Sequence, residues 1–135
     1  MPANTNPIYT LTPQTSFGTV ATANTAKDGT GTVVTVFTAG ANGSYLNSII
    51  FRAKGSNVAT VARVFLNNGS DATTATNNSL IAEMTLPATT LSETAQLAHQ
   101  ELFINKPLPA GYKINITIGT TVAAGYAVTG FGGNY

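Results

Sequence analysis

Between Leu108 and Gly119 the chain turns through Leu-Pro-Ala-Gly and then alternates Tyr112, Ile114, Ile116 and Ile118 with Lys113, Asn115 and Thr117. A repeat of two residues between apolar and polar positions predicts a half-buried β-strand. The pattern recurs. Thr32–Thr38 carries β-branched residues on both faces. Tyr45–Ala53 sets Tyr45, Ile49, Phe51 and Ala53 against Leu46, Ile50 and Arg52. Val58–Asn67 sets Val58, Ala62, Val64 and Leu66 against Val61, Arg63 and Phe65. Leu80–Leu86 points Leu80, Ala82, Met84 and Leu86 inward, and Leu97–Ile104 and Tyr126–Phe131 follow. Phe17–Ala23 is a weaker strand.

Turn signals separate these segments. Asn42-Gly43 and Asn68-Gly69 supply the positive φ that tight hairpins need, and Pro87 ends a strand. Residues 70–78 form a polar loop, and Ala88–Ala95 a loop or short helical turn. No segment reads as an amphipathic helix. About eight short strands with turn signals between them predict an all-β, antiparallel β-sandwich, with an eight-stranded jelly roll favoured over a seven-stranded immunoglobulin-like sandwich. Residues 1–13, with Pro2, Pro7 and Pro13, form an extended N-terminal arm, and residues 14–135 a single sandwich domain. The last residues, Gly132 to Tyr135, are expected to be a glycine-rich tail.

Composition narrows the function. Charged residues are 8% of the chain, against roughly 25% in ordinary soluble domains. Neutral polar residues replace them: 23 Thr and 13 Asn. The net charge of +1 comes from scattered residues, which argues against nucleic acid, whose backbone calls for clustered Lys and Arg. With no Cys, disulfides and thiolate metal sites are excluded. The apolar runs fall far short of the ~20 residues that cross a bilayer, and the N-terminal residues lack the basic and apolar regions of a secretory signal. Synthesis in a cytoplasm, with no membrane partner, is the expectation.

Candidate chemistry is sparse. His99, the single histidine, shares a strand face with Glu101, a pairing that could orient a nucleophile; no Gly-x-Ser-x-Gly elbow presents one. Asp28-Gly29-Thr30-Gly31 offers one carboxylate where a calcium loop wants several. Gly130-Phe131-Gly132-Gly133 lacks the helix that a phosphate loop opens. No catalytic, metal or cofactor-binding residue is therefore assigned, and the protein is expected not to be an enzyme. For stacking on a sugar ring, Tyr45, Tyr112, Tyr126 and Tyr135 are the candidates. Contacts with other subunits are expected from Ile8, Tyr9 and Leu11 of the arm and from Tyr135.

The run from Asn24 to Phe65, the Leu108–Thr120 segment and the closing Gly-Tyr-Ala-Val-Thr-Gly-Phe-Gly-Gly-Asn-Tyr together resemble small virion proteins of tailed bacteriophages, of the capsid decoration (cement) or head-fibre type. The resemblance covers most of the chain. It implies a β-sandwich, often trimeric, seated on the outer face of a capsid, with the major capsid protein and its own copies as partners. It brings no catalytic residues. A neutral surface rich in Thr and Asn suits close packing without like-charge repulsion. The alternative is a receptor- or glycan-binding module of a phage tail or fibre.

Overall fold

A computed structural model describes residues 9–97 and 99–135. Eight strands run through these residues: β1 (Thr12–Val20), β2 (Val34–Thr38), β3 (Ser44–Ala53), β4 (Thr60–Asn67), β5 (Asn78–Leu86), β6 (His99–Leu108), β7 (Lys113–Ile118) and β8 (Tyr126–Asn134). A single 3-10 turn, Ala75–Asn77, breaks the all-β pattern.

The strands form two four-stranded antiparallel sheets, in the orders β1-β8-β3-β6 and β2-β7-β4-β5. Only β4 and β5 are both consecutive in the chain and adjacent in a sheet. All the other connections pass from one sheet to the other, which is the winding of a jelly roll. The expected fold is therefore present.

Alternation on β7 works as the sequence implies. Ile114, Ile116 and Ile118 are fully buried between the sheets with Val36, Phe37, Leu46, Ile49, Phe51, Val64 and Val128. On β4, Ala62 and Val64 enter the same core, with Leu66 packed against it. Burying a side chain of this size contributes about 1.5–3 kcal/mol, so this double layer of aliphatic and phenyl groups is the main stabilising feature.

The turn at Asn68-Gly69, with Gly69 at φ +91°, opens a ten-residue polar loop from β4 to β5, as expected. Three expectations are corrected. Asn42-Gly43 does turn the chain, with Gly43 at φ +87°, but it links strands of different sheets and is no hairpin. Leu46 shares the core with Ile49, because an extra residue enters β3 against β8 between Leu46 and Ser48 and reverses its alternation. The glycine-rich tail is no tail: Gly132, Gly133 and Asn134 complete β8, a central strand paired with β1 and β3.

The arm can be placed only in part. Residues 1–8, Ile8 among them, lie outside the described residues. Thr12 and Pro13 belong to β1, an edge strand, where a proline costs no ladder bond on its solvent side.

Buried asparagines hold the loops. The Asn24 side chain donates to the carbonyls of Thr30 and Thr32 and accepts from the Ala26 amide. It thereby shapes a loop that lies over the outer face of the second sheet. Gly29 of that loop, at φ +83°, sits so close to Phe65 that an added Cβ would lie 3.0 Å from its ring. Phe65 is thus buried on the face opposite Val64, outside the main core.

Candidate interaction surfaces

The register of the first sheet aligns its outward side chains in rows. The first runs Pro13, Gly133, Tyr45 and Pro107 across β1, β8, β3 and β6, and the second runs Thr15, Phe131, Ser48 and Phe103. The third is Phe17, Thr129, Ile50 and Glu101; the fourth is Thr19, Ala127, Arg52 and His99. Phe17 is 77% exposed, Phe103 67% and Phe131 39%. Single exposed apolar residues are ordinary, whereas several phenyl rings gathered on one sheet face mark a contact surface. Ser48, at 6% exposure, lies in the same row between Phe131 and Phe103.

A second surface lies at the end of the sandwich where the arm enters. Leu11 donates its amide to the Asn134 carbonyl at 2.7 Å, which continues the β1–β8 pairing. Thr10 then covers Gly133, where an added Cβ would approach Thr10 to 2.6 Å. Tyr9, Thr10, Tyr45 and Tyr135 line a cavity of about 220 Å³. Of the three described arm and terminal residues expected at interfaces, Tyr9 and Tyr135 therefore come together. Leu11 stands apart and is 83% exposed.

The tyrosines expected to bind sugars separate into two groups. Tyr45 and Tyr135 meet at this cavity. Tyr112 packs against the core, and buried Tyr126 donates its hydroxyl to the Pro87 carbonyl at 3.3 Å. Burial raises the Tyr126 phenol above its ordinary value.

A third feature is a cleft of about 340 Å³ between the adjacent edges β5 and β6. Leu66, Ile81, Ala82, Leu102, Ile104 and Leu108 contribute to its lining.

The groups singled out for chemistry are dispersed. His99 and Glu101 do share the outer face of β6, both exposed, and their sheet neighbours are Arg52 and Ile50. Ser48, on the same face, is separated from His99 by the row holding Ile50 and is buried. Among the described residues no three His, Asp or Glu side chains gather as metal ligands.

The two loop aspartates serve local structure. Asp28 accepts from the Thr30 hydroxyl at 2.6 Å and from the Thr30 amide, and Asp71 accepts likewise from Thr73. These bonds, the hydroxyl foremost, hold both carboxyls below the ordinary value of 3.8. A depressed folded-state pKa contributes stability above the unfolded value, and that contribution is lost as pH falls through the folded value. Thermal midpoints should therefore drop as the pH falls below the ordinary carboxylate value of about 4, and replacing both aspartates by asparagine should flatten the drop. A double variant with the parent slope would refute the assignment.

No family model matches the chain, and no curated protein matches it. Among solved structures, a chain of the T13 IBDV viral particle is similar at TM-score 0.30 and 13% identity, over 96% of this chain and 35% of that one. A likeness that slight bears on neither the fold nor the role of this protein.

Proposed function

We propose that this chain is a non-enzymatic virion structural protein that binds the outer surface of a capsid and stabilises it. The observation that carries the reading is the exposed phenyl-rich face of the first sheet, continuous at one end with the tyrosine cavity where the arm enters. Such a surface gains free energy only when another protein covers it, at about 25 cal/mol per Å² before the costs of association. Repetition over a particle multiplies weak contacts. The major capsid protein is the proposed partner, alongside neighbouring copies of the chain.

Electron microscopy of source particles tests the location directly, with density for this sandwich expected on the outside of the head. Removal of the residues before Leu11 should leave β1 and the sandwich intact, yet reduce occupancy on particles, measured by gel densitometry. Unchanged occupancy would exclude the arm from attachment.

The meeting of Tyr9, Tyr45 and Tyr135 favours one second reading, a glycan-binding module in which a sugar ring stacks between phenol rings. Binding on a glycan array that disappears in Tyr45→Ala would establish it, and no binding would dismiss it.

A further inference from the structure

We propose that the outer face of the first sheet packs against the same face of a second copy, about a two-fold axis close to Ile50. The inference goes beyond the virion role: it gives the phenyl rings of this face to a second copy and leaves the tyrosine cavity and the arm to meet a capsid.

Charge is the first argument. Besides His99, the middle of this face carries one cation, Arg52, and one anion, Glu101, offset by one strand and one row, while Lys54 reaches its end and donates to Thr19 at 3.4 Å. The one ion pair among the described residues joins Arg63 to Glu83 at 2.8 Å on the other sheet. A cation and an anion displaced in this way can each meet the opposite charge of a second copy.

Placement of the apolar groups is the second argument. Neighbouring strands lie about 4.8 Å apart, and successive same-face residues about 6.8 Å apart along a strand. On that lattice, setting Arg52 opposite the partner's Glu101 brings Phe17 against the partner's Phe131. The same operation lays Phe103 over the partner's Ala127 and brings Ile50 beside its own copy. Large side chains thus meet small ones or one another's rings, and the strands cross steeply, toward the orthogonal class of sheet packing.

Area is the third. The exposed parts of Phe17, Phe103 and Phe131 alone come to roughly 370 Å², and exposed Arg52, Glu101, His99 and threonines extend the face toward the ~800 Å² that one partner gives to a standard interface. Symmetry then follows. A patch that meets itself does so about a two-fold axis, whereas a closed trimer joins two different patches. The pairing therefore differs from the three-fold arrangement implied by the bacteriophage resemblance.

The chain has no cysteine, so single introduced thiols give an unambiguous test on the full-length protein. Ile50→Cys should form disulfide-linked dimers under mild oxidation at least tenfold faster than Thr35→Cys, which lies on the outer face of the second sheet. Light scattering of the unaltered chain should give twice the 13.9 kDa chain mass. Phe103→Asp and Phe17→Asp, at exposed positions, should each return the mass to one chain with an unchanged β-sheet circular dichroism spectrum. A monomeric or trimeric mass for the unaltered chain, equal cross-linking rates for the two thiols, or dimers that survive both aspartates would overturn the proposal.

Discussion

Replacing Gly132 by alanine should destabilise the protein by about 4 kcal/mol or more, among the largest effects open to a single substitution. A Cβ at this position would lie 2.2 Å from the Tyr45 carbonyl oxygen and 3.1 Å from the Leu46 Cα. Both are backbone atoms of the neighbouring strand, so no side chain can swing away to make room. The pairing of β8 with β3 would have to open beside the bulge at Leu46–Ser48. That region also holds the Asn134 network: Asn134 accepts from Ser44 and donates to Gln14, which in turn donates to the Thr38 carbonyl of the opposite sheet. Widening the gap therefore strains the link between the sheets as well as one ladder. Thermal and urea denaturation measure the effect, with a midpoint expected to fall by on the order of 10 °C or more. Alanine at Gly111, where an added Cβ meets nothing within 4 Å, would suffer only the strain of its positive φ and should cost much less. Comparable losses at the two positions would refute the steric argument.

The second large effect is expected at Asn57, only 5% exposed. Its side-chain amide donates to the Gly125 carbonyl at 3.0 Å, and its oxygen accepts from the Ala124 and Gly125 amides at 2.9 and 3.0 Å. Its own backbone pairs with Thr89. One residue thus joins the loop before β8, through its side chain, to the segment after β5, through its backbone. Asn57→Ala removes three bonds and leaves the Gly125 amide buried without a partner, at about 1–3 kcal/mol for that unmet group, while the Gly125 carbonyl keeps the bond from the Lys54 amide. A total loss of about 3 kcal/mol follows. Hydrogen exchange provides the specific readout: the Ala124 and Gly125 amides should lose protection, while those of β4 and β7 lose only what the global destabilisation implies. Retained protection at these two amides would show that Asn57 does not hold the loop.

These two sites also show where sequence reasoning stops. The abundance of Asn and Thr reads as a neutral coat, yet Asn24, Asn57 and Asn115 are buried and two of them fasten loops. An asparagine in a loop looks the same whether it faces water or closes a ring of backbone groups distant in the chain. Phe65 is a related case. Its alternation correctly sets it opposite Val64, and only the residue 24–32 loop lying above it makes that outer position dry. The expected glycine-rich tail fails for a similar reason. Glycine marks freedom in an isolated peptide, but in β8 it marks the close approach of Tyr45 and Thr10.

Of the surfaces, Tyr9 and Tyr135 were legible as candidates for contact. The face carrying Phe17, Phe103 and Phe131 was not, because its three rings come from strands far apart in the chain and meet only through the register of one sheet.

What the amino-acid order determines by itself is the class and the rhythm: all-β, about eight strands, and the two-residue alternation within each unbroken stretch of strand. These are local properties, set by the two-residue repeat and by residues that bend the backbone. The tertiary structure alone decided which strands are neighbours, where an extra residue enters a strand, and which of two sides meets water. Thr12 pairs with Asn134 and Ser44 with Leu108, and no short-range pattern encodes partners so distant in sequence. They are selected when two sheets close over one core, since a strand shifted by one residue would turn its isoleucines outward.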